Sequence, residues 1–372
     1  MTTSPATFTF PHRPQRIYWE VTRACDLACR HCRAEAVPQA DPDELTHEEG
    51  LDLLDSIVRF GAPLPHVVFT GGDALKRTDL FQLIAYARLR GLRVSVAPSA
   101  TPLLTEDALR RLFNAGVDAI SLSIDAASAA LHDSIRGIDG TFGRTIEAAR
   151  IAREVKLPFQ VNTLVCAETV DDLPAIYRLA QEIGAARWSL FFLIAVGRGQ
   201  VLQPISPERA EEVLSWAAGL TGRPGRGSLI VTTTEAPQLR RVIEQRKAPR
   251  DAPPDAQAPA GNRPAHHGGG IRDGNGVLFI SHTGNICPSG FLEIAAGNVR
   301  HDDLVEVYRH FPMFTALRDP AGFGGRCGHC EFKYVCGGSR ARAYAASGDL
   351  LGEDPLCVHQ PAPAAPELVT QP

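Results

Sequence analysis

Cys25, Cys29 and Cys32 stand at C-x3-C-x2-C spacing, a loop just long enough to wrap one iron-sulfur cubane and hold three of its four irons. A fourth iron without a protein ligand can bind a substrate or cofactor, whereas a fourth cysteine would leave only electron transfer. The same three thiols also suit a structural zinc site completed from a distance, or plain buried packing. Much further along, Cys327, Cys330 and Cys336 form C-x2-C-x5-C, followed by Cys357. Four thiols so arranged can close a cluster completely or hold one tetrahedral zinc. Of the nine cysteines, the remaining two, Cys166 and Cys287, read as buried thiols.

These groups need elements to position them. From Arg16 on, short apolar runs alternate with amphipathic stretches. The pattern predicts strands over residues 17–22, 66–70, 92–97, 119–124, 159–164 and 188–193. It predicts helices over 46–60, 79–90, 105–115, 141–154, 170–183 and 207–220, several opening on a Thr or Asp suited to capping. Six β-α pairs in series imply parallel strands with right-handed crossovers, an open partial (β/α)6 barrel of the α/β class.

Parallel barrels place their chemistry on the loops that leave the C-terminal ends of the strands. The cysteine loop leaves the first strand, Gly71, Gly72 and Asp73 follow the second, and Ser99 follows the third. Asp125 follows the fourth, Asn162 and Thr163 end the fifth, and Gly197-Arg198-Gly199 follow the sixth. A purely structural pattern would scatter polar residues over both rims, so their gathering at one rim predicts a site there. Asn162 and Thr163 also fit the simpler role of satisfying a strand end.

The cysteine loop after the first strand, the Gly71-Gly72-Asp73 turn after the second, Ser121-Leu-Ser-Ile-Asp125 and His132-Asp-Ser-Ile-Arg-Gly137 together resemble the radical S-adenosylmethionine (radical SAM) superfamily. The C-terminal cysteines resemble the SPASM domain found in part of it. The likeness spans roughly residues 16–360. It implies that S-adenosylmethionine chelates the open iron of a [4Fe-4S] cluster. Reduction then yields a 5′-deoxyadenosyl radical that abstracts hydrogen from a substrate C–H.

Several cofactor contacts follow from the resemblance. Gly71 and Gly72 let backbone approach the methionine, and Asp73 accepts from its ammonium, although the family has the longer Glu there. His31 packs near the adenine, or is simply an exposed loop histidine. Ser99, Asp125 and Asn162 are candidates for further contacts, the first two to ribose. Arg136 forks onto the methionine carboxylate, or pairs at the surface with Asp133 or Asp139. Arg198 offers a fork to a substrate carboxylate, or pairs with a rim acid.

SPASM domains use the four C-terminal cysteine positions for an auxiliary [4Fe-4S] cluster. The full pattern has seven cysteines and two auxiliary clusters, but here one expected position falls near Asp302 and another is Arg340. One auxiliary cluster is therefore expected. The region around Gly325 to Ala345 looks closest to enzymes of alternative haem pathways that oxidise tetrapyrrole side chains. The other large group is maturases of ribosomally made peptides, and a non-catalytic iron-sulfur electron carrier is the alternative of another class. Either enzyme reading implies a low-potential electron donor such as flavodoxin or ferredoxin.

Composition agrees. The chain has 372 residues, 44% apolar, with net charge −4, which gives no electrostatic footprint for nucleic acid. No run of about 18 apolar residues marks a membrane span, and the N-terminus lacks the basic start and apolar stretch of a secretory signal. A reducing cytoplasm is the expected setting. The expected organisation is a loose N-terminus (1–15), the barrel (16–222), a connecting region (223–276), the auxiliary-cluster domain (277–360) and a disordered tail (361–372). Residues 247–264, rich in Ala and Pro, read as a flexible insertion, and His266, His267 and the glycines after them as a turn.

Overall fold

A computed structural model describes residues 9–221, 229–246 and 270–361; the predicted insertion and the His266-His267 stretch lie outside the described residues. The barrel strands are β1 (Arg16–Glu20), β2 (His66–Thr70), β3 (Arg93–Val96), β4 (Ala119–Ser123), β5 (Phe159–Val165), β6 (Arg187–Phe192) and β7 (Ile230–Thr234). They alternate with α1 (His47–Val58), α2 (Leu80–Leu89), α3 (Glu106–Asn114), α4 (Ala129–Arg136), α5 (Thr141–Glu154), α6 (Leu173–Glu182), α7 (Pro207–Leu220) and α8 (Gln238–Gln245). The C-terminal part adds β8 (Val277–Ile280), β9 (Asn285–Cys287), β10 (Gly297–Asn298), α9 (Leu304–His310), α10 (Pro312–Arg318), α11 (Gly325–His329) and α12 (Arg340–Ser347).

Among the described residues one sheet holds all ten strands, in the order β10-β9-β8-β1-β2-β3-β4-β5-β6-β7. β1 through β7 pair in parallel, with Ile17 opposite Val67 and Trp188 opposite Val231. The sheet does not close on itself, so the barrel is open. The six expected strands are all present. Besides the C-terminal helices α9 to α12, three elements of the barrel were not foreseen: α4 is a single eight-residue helix with only His132 and Ile135 buried, β7 is an edge strand carrying three threonines, and α8 follows directly. β7 is mostly polar and α4 and α8 are only eight residues each, so short runs hid them even though Leu239 and Val242 give α8 an apolar face. The apolar hairpin expected to open the C-terminal domain instead extends the barrel sheet, because β8 runs parallel to β1 with Ile17 opposite Leu278.

Strand alternation explains how this sheet holds a site. On one face Ile17, Trp19, Val67, Phe69, Val94, Val96, Ile120, Leu122, Val161, Trp188 and Leu190 form a single core with the buried sides of the helices. Each fully buried aliphatic side chain there contributes roughly 1.5–3 kcal/mol. Sheets buried on both faces carry continuous apolar runs. These strands instead alternate, so the opposite face carries Tyr18, Glu20, Thr70, Ser95, Ser121, Ser123, Asn162 and Ser189. The inside of the barrel is thus lined largely by polar side chains, with Val68, Leu164 and Phe191 among them.

Candidate radical site and the C-terminal thiol site

The twelve residues from Val21 to Cys32 fold as they do because their own backbone and neighbouring side chains close the loop. Cys25 N donates to Val37 O at 2.8 Å and Val37 N to Arg23 O at 3.3 Å. Thr22 Oγ1 and Arg23 N both donate to Glu44 Oε1, at 2.7 and 3.0 Å. The result gathers Cys25, Leu27, Cys29 and Ala36 into one small cluster, with Cys32 packed against it. Two backbone amides point at sulfur, Leu27 N at Cys25 Sγ (3.4 Å) and Ala36 N at Cys32 Sγ (3.5 Å). Burial pushes the Cys25 and Cys29 thiols up.

Gly71 and Gly72 lie against this loop. A Cβ on Gly71 would sit 2.4 Å from Thr22 O, and one on Gly72 would sit 2.5 Å from Ala24 O and 2.6 Å from Arg23 O. Gly72 N and Asp73 N donate to Thr22 O and Ala24 O at 2.8 and 2.7 Å. The close approach that these glycines permit is therefore to the cysteine loop's own backbone. Asp73 is fully buried, and its carboxylate accepts from Leu75 N (3.1 Å), Ser99 N (3.3 Å) and Thr101 Oγ1 (2.6 Å). Burial pushes its pKa up against those hydrogen bonds. Ser99 Oγ donates to Gly72 O at 2.7 Å and lies 3.7 Å from Cys25 Sγ. A cavity beside the loop is lined by Leu27, Pro98, Ser99, Ser123, Arg136 and Thr145.

The His132 to Gly137 segment is explained residue by residue. His132 Nδ1 accepts from Asp125 N at 3.1 Å, and Asp133 accepts from Gly140 N (2.6 Å) and Phe142 N (2.7 Å), holding the start of α5. Arg136 Nη2 lies 2.7 Å from Asp125 Oδ2, while Nη1 points at Cys29 Sγ from 3.8 Å. Its partner is thus Asp125, not Asp133 or Asp139. Gly137 ends α4 at φ +72°, where a Cβ would meet Ala28 O at 2.6 Å. Asp125 is 1% exposed and its Oδ1 accepts from Leu164 N at 2.9 Å. Although burial opposes it, the Arg136 guanidinium holds Asp125 below the usual carboxylate range. Burial and Arg136 together push His31 down to about 4, which makes its imidazole neutral at pH 7.

Arg198 is placed on the same rim as expected, but its guanidinium turns to the cysteine loop. Nε donates to Cys29 O at 3.0 Å and Nη1 to Ala36 O at 3.2 Å. Gly197, at φ +51°, lies where a Cβ would meet Arg33 O at 2.5 Å. Two of the three nitrogens expected to face a substrate carboxylate are thereby committed to carbonyls. Asn162 faces the lumen and accepts from Gln160 Nε2 at 2.7 Å, while Thr163 satisfies its strand, donating to Ile124 O at 2.6 Å.

Sequence reasoning missed Thr101, which holds Asp73, and Arg33. Arg33 Nη2 pairs with Glu20 Oε1 (3.1 Å), Nη1 with Glu293 Oε1 (2.8 Å), and its guanidinium stacks 4.5 Å over Phe279. It ties the residue after Cys32 to the C-terminal hairpin. Its only signal was its adjacency to Cys32.

In the C-terminal part, Cys327, Cys330, Cys336 and Cys357 all line one cavity, together with Gly337, Gly338 and Asp354. Phe332 N points at Cys330 Sγ from 3.4 Å and Arg340 Nη2 at Cys327 Sγ from 3.6 Å. A Cβ on Gly338, at φ +66°, would sit 3.2 Å from Cys327 Sγ. Burial pushes Cys330 up to about 11 and Cys336 up to about 12. Cys287 is buried on β9, and Cys166 packs with Ile135, Leu164, Leu193 and Leu202.

The radical SAM superfamily profile matches residues 19–180. The AdoMet-dependent heme synthase of Oleidesulfovibrio alaskensis is 39% identical over 350 residues, covering 93% of this chain and 87% of that protein. The chain belongs to the radical SAM superfamily. A PqqA peptide cyclase of Granulibacter bethesdensis is 28% identical over 355 residues, covering 94% and 88%. The crystal structure of Streptococcus suis SuiB bound to S-adenosylmethionine superposes with TM-score 0.68 at 16% identity, over 94% of this chain and 78% of that one, which shows a shared fold.

Membership makes this radical SAM protein an enzyme of oxidoreductase-type radical chemistry that works with a [4Fe-4S] cluster and S-adenosylmethionine. The residues present fit that pair. Three clustered thiols face amide and guanidinium donors, and His31 Nδ1, Arg136 Nε and Arg198 Nη2 are buried with no hydrogen-bond partner among the described residues. Such donors suit an anionic cluster and a carboxylate. When bound, the cluster supplies the electron that cleaves S-adenosylmethionine. This chain's residues hold the thiols in one loop, fix Arg136 and keep His31 neutral.

Proposed function

We propose that this radical SAM enzyme oxidatively modifies a carboxylate-bearing side chain of a tetrapyrrole. The observation that carries this reading is the 39% identity to an AdoMet-dependent heme synthase over 93% of the chain, against 28% to a peptide cyclase of similar coverage. Cys25, Cys29 and Cys32 hold the cluster that cleaves S-adenosylmethionine. Arg136 and His31 face the cofactor, and the cavity by Ser99 takes its nucleoside. Arg198, on its geometry, positions the cysteine loop rather than the substrate.

Cys327, Cys330, Cys336 and Cys357 hold a single auxiliary [4Fe-4S] cluster. Two features support the count: Asp302 accepts from Asn298 N at 2.8 Å, and the Arg340 guanidinium binds the carbonyls of Gly352 and Leu350. Both side chains at cysteine positions of the longer pattern thus have protein partners. A low-potential donor such as flavodoxin or ferredoxin supplies the electrons.

The test is anaerobic turnover of reconstituted protein with S-adenosylmethionine, reductant and a porphyrin bearing four propionates. Mass spectrometry should show loss of carboxyl groups in step with 5′-deoxyadenosine. Deoxyadenosine formed without any change in the porphyrin, under conditions where a peptide substrate is altered, would overturn the reading.

A further inference from the structure

The turn after β2 and the loop after β3 are fastened to each other through one carboxylate. Asp73 is fully buried, and its hydrogen-bond donors among the described residues are all neutral. Leu75 N (3.1 Å) and Ser99 N (3.3 Å) donate to Oδ1, and Thr101 Oγ1 (2.6 Å) donates to Oδ2. Thr101 is 1% exposed, and its hydroxyl is used twice, because it also accepts from Leu103 N at 3.2 Å. The same loop is tightened by Thr101 N donating to Ser99 O at 2.8 Å, and is held from α5 by Arg144 Nε, which donates to Ala100 O at 2.9 Å.

What this fastening delivers is Ser99. Its Oγ donates to Gly72 O at 2.7 Å, and Cys25 Sγ stands 3.7 Å away. A hydroxyl has one proton to donate. Here that proton goes to Gly72, so Ser99 turns only lone pairs toward its other neighbours. One of those neighbours is the cavity beside the cysteine loop, which Pro98, Ser99, Ala100, Leu27, Ser123 and Arg136 line. Neither Asp73 nor Thr101 lines it. An acceptor for the methionine ammonium has to be open to the cofactor, and a carboxylate with no exposure that already joins two loops is closed to it. Turning Asp73 toward the ammonium would leave the buried Thr101 hydroxyl without its acceptor.

We propose that Asp73 and Thr101 are positioning residues for S-adenosylmethionine: they pin the loop after β3 so that Ser99 presents an acceptor to the nucleoside beside Cys25, and Asp73 does not take the methionine ammonium. This reverses the expectation from sequence, in which Asp73 stands in for a longer glutamate. The shorter side chain has its own reason, since it ends within reach of Ser99 N and Thr101 Oγ1, where one more methylene would be forced into a packed interior. The inference rests on the nucleoside occupying the cavity by Ser99 and not on the tetrapyrrole reading, so the identity of the substrate does not bear on it.

The experiment is equilibrium dialysis of the anaerobically reconstituted, oxidised full-length enzyme against two probes. One is S-adenosylmethionine. The other is 5′-methylthioadenosine, which keeps the nucleoside and lacks both the ammonium and the carboxylate. Thr101→Val removes the donor and keeps the shape; it should weaken both probes by the same factor, roughly 3- to 10-fold, and Thr101→Ser should restore both. Asp73→Asn, which keeps the size and one acceptor oxygen, should also weaken both alike, and it carries the comparison if thermal unfolding shows that Thr101→Val is not folded. Asp73→Glu should bind both more weakly than wild type. Asp73→Asn weakening S-adenosylmethionine 10-fold more than methylthioadenosine, or Asp73→Glu tightening S-adenosylmethionine alone, would make Asp73 the ammonium's acceptor and overturn the inference. Unchanged binding in both Thr101→Val and Asp73→Asn would overturn it as well. So would a Thr101→Ser enzyme as weak as Thr101→Val, by showing that packing and not the hydroxyl matters. A wild type that does not bind methylthioadenosine would overturn it by removing the nucleoside from the cavity, with the tetrapyrrole reading left standing.

Discussion

The two cysteine sites differ less in their thiols than in the charges packed around them. Near Cys25, Cys29 and Cys32 the guanidinium groups are neutralised: Arg136, which points at Cys29 Sγ, is ion-paired with Asp125 at 2.7 Å, and Arg33, which feels Cys32, pairs with Glu20 and Glu293. Asp73 is close enough to raise Cys25 further. Around Cys327, Cys330, Cys336 and Cys357 the cations are more numerous and less neutralised. Arg340 is fully buried, points at Cys327 Sγ, stacks 4.5 Å over Phe323 and otherwise meets carbonyls. Arg272 also donates to carbonyls, and burial with Arg340 and Arg240 beside it pushes it down to about 9. Arg240, pushed down to about 10 by burial, feels Cys336. Arg272 and Arg240 stay charged at pH 7.

Buried positive charge and hydrogen bonds to sulfur favour the more reduced, more negative state of a bound cluster. With the proposed auxiliary cluster in the C-terminal site, the lower potential is expected at the N-terminal site and the higher one at the C-terminal site. An electron removed from a substrate radical then has a downhill destination within the same chain. The burial of these guanidinium groups is otherwise costly, and the proposed anionic cluster would offset that cost.

The largest expected effect breaks the comparison at its root. Replacing Cys25, Cys29 and Cys32 together by Ala should remove about half of roughly eight irons and abolish deoxyadenosine formation. Cys330→Ala should instead leave some uncoupled cleavage of S-adenosylmethionine while eliminating product. Iron analysis and chromatography of deoxyadenosine distinguish the two. A wild-type content near twelve irons would show a third cluster, against the single auxiliary cluster proposed here.

Next in size is Gly72→Ala. The new methyl would meet Ala24 O at 2.5 Å and Arg23 O at 2.6 Å, so the cysteine loop must shift. We expect loss of most N-terminal cluster signal in the reduced protein's EPR spectrum, with the C-terminal signal intact. Retention of both signals would show that the loop yields without cost.

Arg340→Leu sharpens the electrostatic contrast. Removing one buried charge beside Cys327 should lower the C-terminal cluster's midpoint potential by on the order of 40–130 mV, taking about 1–3 kcal/mol for the lost interaction and 59 mV for a tenfold change in a one-electron couple. A redox titration followed by EPR reads this directly. The N-terminal potential should not move, and an equal shift at both sites would remove the contrast. The smallest effect is expected from Arg198→Lys. An ammonium cannot reach Cys29 O and Ala36 O as the fork does, so substrate-free cleavage and full turnover should fall together by several-fold. Loss of turnover alone would return Arg198 to the substrate.

Much of this was legible because it is local. Capping at Thr46, where the Thr46 and Glu49 side chains reciprocally satisfy the start of α1, is a four-residue signal. The strand alternation that separates a helix-packed face from a lumen is readable two residues at a time. The partners of Arg136 were not. Asp133 and Asp139 lie nearer in sequence, but Asp133 is held by Gly140 N and Phe142 N, and the turn of α4 back over β4 delivers Asp125 instead. The glycines of the Gly71-Gly72-Asp73 turn read as needing close approach, but what approaches them is the cysteine loop after β1, about fifty residues away in sequence.

The sequence by itself determined the thiol spacings, the order of six β-α units and the rim on which polar residues gather, because each depends on residues within one loop or one element. Only the tertiary structure decided that β8 continues the sheet beside β1, that Arg198 holds the cysteine loop, and that Arg136 pairs with Asp125. Those outcomes depend on which strands become neighbours and which face each other across an open barrel, and such long-range geometry brings together residues whose separation in sequence carries no periodic signal.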